Sequence, residues 1–170
     1  MEVKIRLGIA AMVSLLACNV GECASDAFSA VRCESDVRKA LLGRLIPNER
    51  VVIIEERHKD LELKDLGGTG ISDHLFLTTW RICGDEYAIL VEKDGIVKDV
   101  LKFPVHSKRN PQFIGTCRLR GEEVSDEVIG VFERSGKEDM LPVRFAWRIN
   151  VKQAKFIKLE IDGLLCLHRG

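Results

Sequence analysis

Histidines, cysteines and paired carboxylates are the side chains that most often do chemistry, and their placement in this chain narrows what it could catalyse. The four histidines, His58, His74, His106 and His168, are scattered. No pair has metal-ligand spacing, and no H-E-x-x-H run offers a zinc-protease helix. No G-x-S-x-G run marks a nucleophile elbow. Glu55, Glu56, Asp60 and Glu62 surround Arg57, His58 and Lys59. Two carboxylates at a suitable separation can hydrolyse a glycosidic bond, but charged side chains usually form a solvated face. Gly67-Gly68-Thr69-Gly70 lacks both the Lys-Ser/Thr ending of a P-loop and the G-x-G-x-x-G spacing. It reads as a flexible connection between strands that could serve as a binding edge. The chain is therefore expected to be non-enzymatic, with no cofactor and no metal.

Two segments stand out for binding. His106-Ser107-Lys108-Arg109-Asn110 is the densest positive stretch and lies between Pro104 and Pro111. Prolines limit its freedom, and loops held on a rigid scaffold commonly carry binding residues. His106, Lys108 and Arg109 are the candidates there, for an acidic partner surface. Gly67, Gly68 and Gly70 are the candidates on the glycine segment. Lys+Arg and Asp+Glu both total 26, so bulk positive charge for nucleic acid is missing. Aromatic residues are not interleaved with basic ones as a single-strand groove requires.

The start of the chain reads as an export signal over residues 1–24. Lys4 and Arg6 precede an apolar run over residues 7–17, which is long enough for a signal h-region and too short for a membrane span. Two cleavage points compete. Leu15-Leu16-Ala17-Cys18 fits a lipoprotein box in part, with cleavage at 17/18 and lipid on Cys18. Cleavage at 24/25 leaves Cys33, Cys83, Cys117 and Cys166, an even count suited to an oxidising compartment. Four cysteines allow three pairings, and sequence does not choose among them. The expected one is Cys33–Cys83 with Cys117–Cys166, each closing a loop of about 50 residues and worth roughly 4 kcal/mol on a chain-entropy argument. Without a C-x-x-C pair, zinc ranks lower, and nothing marks any thiol as activated.

These residues need a scaffold. With 46% hydrophobic and 31% charged residues the chain has a globular composition. Residues 25–170 are expected to form one exported β-rich domain. Ser35 or Asp36 can cap a helix carrying Val37, Ala40, Leu41 and Leu45, which Pro47 would stop. Val51-Val52-Ile53-Ile54 reads as a strand because it is β-branched. Residues 75–83, 87–91, 96–103, 113–119 and 128–132 also read as strands, with a helix as the alternative for 128–132. Asp94-Gly95 supplies a hairpin turn. Val143, Phe145, Trp147 and Ile149 alternate with smaller or polar residues, which places all four on one face. Trp80-Arg81-Ile82 recurs as Trp147-Arg148-Ile149, so residues 50–103 and 113–168 could be two similar meander halves; the alternative is that meanders simply look alike. The expected fold class is α+β, mostly antiparallel β. One N-terminal helix precedes eight to ten short strands in meander and hairpin arrangement, supported by disulfides.

The function expected is that of a small binding protein of the cell envelope or extracellular space. Small exported disulfide-bonded β proteins without a catalytic signature often inhibit or neutralise another protein, as immunity proteins and inhibitors of cell-wall hydrolases do. The partner is expected to be another envelope or extracellular protein. Location would be periplasmic or secreted, with membrane attachment only through a lipid on Cys18. The alternatives are an envelope hydrolase with a site assembled from carboxylates and histidine, and a structural lipoprotein.

Overall fold

The computed structural model describes residues 26–124 and 127–168. The expected signal segment, both cleavage points and Cys18 lie outside the described residues. The first elements are helical. A short 3-10 turn, Ala27–Ala30, is capped by Asp26, whose side chain accepts from the Phe28 N–H. Helix α1, Val37–Leu41, is capped by Asp36, which accepts from the Lys39 N–H at 3.1 Å. It buries Val37 and Leu41. It ends well before Pro47 because Leu42 turns extended and Gly43 takes a φ of +72°.

The run from Val51 does not form a strand. It forms helix α2, Val51–Arg57, of which only Ile54 is buried. A four-residue apolar run has no periodicity to separate strand from helix. Here Ile54 and the buried His58, four residues apart, face the core together. A 3-10 turn over Lys59–Leu61 then leads into the sheet.

The first sheet contains β1 Lys64–Gly70, β2 Leu75–Ile82, β3 Asp85–Glu92 and β4 Val97–Lys102, in that order and all antiparallel. The expected β3–β4 hairpin forms at Asp94-Gly95, but as a longer turn: the Gly95 N–H reaches the Glu92 carbonyl at 2.8 Å, so Lys93 and Asp94 are its central residues, and only Gly95 takes a positive φ, of +89°. Trp80, Ile82, Ile89 and Val91 point to one face and pack against Phe28, Val31, Leu41 and Ile54 of the helical layer. Leu75, Leu77, Ala88 and Leu90 point to the other face and pack against the second sheet.

The second sheet has β5 Gln112–Gly115, β6 Cys117–Leu119, β7 Glu122–Glu123, β8 Val128–Phe132, β9 Met140–Asn150, β10 Lys155–Lys158 and β11 Leu164–Leu167. Its order is β5-β8-β9-β11-β6-β7, with β10 also paired to β9. The described residues thus hold eleven strands and two α-helices, mostly antiparallel β with more strands than expected. The alternation in β9 is interrupted. Val131 faces Phe145 but Phe132 faces Val143, so Arg144 is an extra, bulged residue. Phe145, Trp147 and Ile149 therefore join the core between the sheets, and Val143 turns to a third core with Phe113, Phe132 and Leu164. The four side chains expected on one face are divided between two.

The Trp-Arg-Ile echo extends to one hairpin in each half. Trp80 lies opposite Tyr87 across β2–β3, and Trp147 lies opposite Lys158 across β9–β10. The third strands differ: β4 pairs with β3, whereas β11 pairs with β9 and β6. The disulfides are Cys33–Cys83 and Cys117–Cys166, the pairing expected. The first ties the helical layer to the β2–β3 turn. The second crosses directly opposed residues of β6 and β11.

Candidate functional site

Residues 104–111 begin where β4 can no longer pair. Phe103 is buried and donates its N–H to the Glu86 carbonyl at 2.8 Å. Pro104 has no N–H to continue the ladder. His106 then turns inward. Its Nε2 lies 3.2 Å from Glu86 Oε2, and its Nδ1 lies 3.2 Å from the Pro104 carbonyl. Glu86 also accepts from Arg81 at 2.9 Å and from the Gln112 side-chain amide at 3.1 Å. One carboxylate thus gathers β2, β3, the loop and β5. Beside it, Asp85 binds the Lys102 ammonium at 2.5 Å, which raises the Lys102 pKa.

The far side of the loop is fastened as well. The Asn110 side-chain amide donates to the Glu133 carbonyl. The Ser135 N–H donates to the Arg109 carbonyl at 2.7 Å, and the Asn110 N–H closes a turn on Ser107 at 2.9 Å. Between these moorings the Lys108 and Arg109 side chains are exposed. Neither forms an ion pair among the described residues. Val105 is 90% exposed beside them. The loop is thus a fixed turn that displays two cations and one apolar side chain. His106 acts as its anchor rather than as part of its display.

The Glu86–His106 pair has the residue types of a general acid–base dyad, but its setting does not suit that work. The adjoining cavity, between Asp85, Glu86, Phe103 and His106, is about 140 Å³. Ligand sites are typically about 300–1,000 Å³. Three donors already occupy Glu86, which favours a mooring role.

The glycine segment is not a flexible connection. Gly67, Gly68 and Gly70 all lie in β1, at the edge of the first sheet. Gly67 sits at a register shift with a φ of +103°, and Asp65 Oδ1 accepts its N–H at 3.1 Å. A Cβ on Gly68 would stand 2.5 Å from the Leu77 carbonyl oxygen, so only glycine fits. β1 is one edge of the sheet and β4 is the other. The two candidate segments therefore lie on opposite edges and form no joint site.

The acidic stretch is dispersed into local bonds. Glu55 accepts the Asp65 N–H at 2.9 Å, and Glu56 lies 3.8 Å from Lys59. The histidines have separate partners. His58 Nε2 bonds Asp26 at 2.8 Å, His74 meets Ser72 at 3.5 Å, and His168 packs edge-on to Phe132. No group of three potential metal-binding side chains occurs among the described residues. Cys33, Cys83, Cys117 and Cys166 are held as disulfides, so none is a free thiol. No helix among the described residues is long and apolar enough to cross a membrane. The chain matches no protein-family model, no curated protein and no solved structure.

Sequence reading missed Glu86 and Arg81 as organisers of the loop. They look like ordinary strand charges, and Gln112 lies 26 residues from Glu86 in sequence. The only local signal was their position flanking the Cys83-Gly84 turn.

Proposed function

We propose that the chain is an exported binding protein of inhibitor or immunity type, which engages an acidic surface of another envelope or extracellular protein through residues 104–111. The observation that carries this reading is the combination of mooring and display in that loop. Glu86 and Glu133 hold its His106 and Asn110 side chains and Ser135 holds its backbone at Arg109, while the Lys108 and Arg109 side chains are exposed and form no ion pair among the described residues. A loop ordered before binding loses little conformational freedom on association. Unpaired surface cations steer an acidic partner and suppress wrong ones. The two disulfides suit an oxidising compartment.

The test is a pull-down from envelope extract with the oxidised protein, compared with the Lys108→Glu/Arg109→Glu variant. The expected result is one stoichiometric protein partner whose affinity falls at least about tenfold in the variant, a change of about 1.4 kcal/mol. The difference should shrink as salt is raised, because exposed charges are screened beyond about 10 Å at 0.1 M. Equal recovery by both proteins, or hydrolysis of cell-wall or lipid substrates with no protein partner, overturns the reading.

A further inference from the structure

The opposite edge of the first sheet is open along part of its length. The sheet treats its two edges differently. β4 is closed by its own chain: Gly43 donates to the Val97 carbonyl, Val97 donates to the Arg44 carbonyl, and the Phe156 N–H reaches Asp99. On β1 only the start is closed, where the Glu55 carboxylate takes the Asp65 N–H. From Gly67 to Gly70 the strand is exposed, and no described residue pairs with its outer side.

The direction of its free backbone groups follows from one bond. Ile71 donates to the Leu75 carbonyl at 2.9 Å. Gly67 to Gly70 continue the same register without a shift, opposite Thr79 to Phe76. Hydrogen-bonded and non-hydrogen-bonded pairs alternate in an antiparallel ladder. Thr69 therefore bonds to β2, and Gly68 and Gly70 turn their N–H and C=O groups outward; the Gly67 N–H goes to Asp65 Oδ1, and the Gly70 carbonyl also accepts from the Thr69 hydroxyl at 3.5 Å. The protections that usually blunt an open edge, a proline or an inward charge, do not occur between Gly67 and Gly70.

Side-chain recognition lies next to this edge. Gly68 and Gly70 face Thr78 and Phe76 and put no side chain between them and an incoming strand. Phe76 is 41% exposed, and a Cβ on Gly70 would meet its ring at 3.9 Å, so the ring leans toward the edge. Beyond it opens a groove of about 530 Å³ walled by Ile46, Pro47, Thr78 and Val91. At the other end of β1, Lys64 is exposed and forms no ion pair among the described residues, while Asp65 and Glu55 are occupied by backbone N–H groups.

We infer that β1 accepts an extended segment of a partner protein as an added strand, with an apolar side chain of that segment on Phe76 and a carboxylate of it near Lys64. Only polypeptide backbone supplies alternating donors and acceptors for Gly68 and Gly70, and Lys64, whose cross-strand neighbour Arg81 is already paired with Glu86, selects an acidic residue at the far end. At about 3.3 Å per residue, a segment of some six or seven residues spans the edge. This surface is separate from residues 104–111 and stands independently of the function proposed for them.

The probe is a peptide selected from a random nonamer library displayed on phage with the oxidised protein as bait, then resynthesised. Gly70→Pro removes the outward N–H and leaves the bonds from β1 to β2 intact. Gly70→Ala keeps that N–H and has room for its methyl group, and so controls for folding. Selected peptides should combine alternating apolar residues with an acidic one. Gly70→Pro should weaken binding at least about tenfold, with Gly70→Ala unchanged within about twofold. Lys64→Glu should weaken it severalfold, and Lys108→Glu/Arg109→Glu should leave it intact. In the wild type, the Gly68 and Gly70 amide protons should become protected from solvent exchange on peptide binding. Recovery of no peptide overturns the inference, as does equal binding by Gly70→Pro or dependence on Lys108 and Arg109. A wild-type dimer that Gly70→Pro converts to monomer also overturns it, because the occupant is then a second copy of this chain.

Discussion

Asp26 illustrates how much one side chain holds at the first described residue. Its burial opposes ionisation, but hydrogen bonds from His58, from the Phe28 N–H and from Arg57 outweigh that and lower its pKa. Arg57 bonds Asp26 at 3.1 Å and Glu49 at 2.5 Å, and the His58 ring packs near Phe28. A carboxylate with a depressed folded-state pKa stabilises the fold above its unfolded value and loses that contribution as pH falls through the folded value. Asp26→Asn should therefore cost about 1–3 kcal/mol at neutral pH. The gap to wild type should narrow as pH drops below the ordinary carboxylate value of about 3.9. Urea titrations at a series of pH values would check this, and a gap that is constant down to pH 2 would refute it. Nothing in the sequence pointed to the cluster, because His58 lies 32 residues from Asp26 and only the fold joins them. The exposure of Lys108 and Arg109 was legible because proline and local charge density both act within a few residues, whereas the inward turn of His106 onto Glu86 was not.

Elements were readable wherever a local rule decided them. The Asp94-Gly95 pair marked the β3–β4 hairpin, but the two-residue turn with positive φ at both positions did not form: only Gly95 takes a positive φ, and Lys93 and Asp94 are the central residues. Helix α2 was misread because β-branched residues express packing more than backbone preference. The bulge at Arg144 left no mark in the alternation, since period two says nothing about an inserted residue. Strand β8 holds a sharper constraint. Its side chains are buried throughout, and a Cβ on Gly130 would stand 2.2 Å from the Phe145 carbonyl oxygen and 3.1 Å from the Phe113 ring. Gly130→Ala should destabilise the protein by about 1–3 kcal/mol through forced separation of β8 from β9. Equilibrium denaturation in urea would measure it, and a change within 0.5 kcal/mol, the usual range for exposed sites, would mean the strands yield at little cost.

For the whole molecule, composition gave a globular chain and the strand and turn patterns gave its mostly antiparallel β character; the cysteine count allowed the disulfides without choosing among three pairings, and the fold made the choice. The layering was hidden, because the core shared by the two sheets joins Leu77 and Leu90 to Ile129 and Ile149, residues far apart in sequence. The disulfides act on different layers. Replacing Cys33 and Cys83 by Ala should cost about 4 kcal/mol on the chain-entropy argument. It should also loosen the helical layer over Trp80, which is 3% exposed against Phe28. Tryptophan emission should then shift to the red at denaturant concentrations where the Cys117→Ala/Cys166→Ala protein still shows buried Trp80. Identical emission from the two variants would contradict this division.

The two disulfide loops also follow one another along the chain without overlapping, since Cys83 precedes Cys117. Among Cys33, Cys83, Cys117 and Cys166, a chain emerging amino-end first into an oxidising compartment would present each cysteine directly before its native partner. Cys33 would meet Cys83 before Cys117 had appeared. An oxidase that joins thiols in order of arrival would then build the native covalent structure without any later exchange of partners.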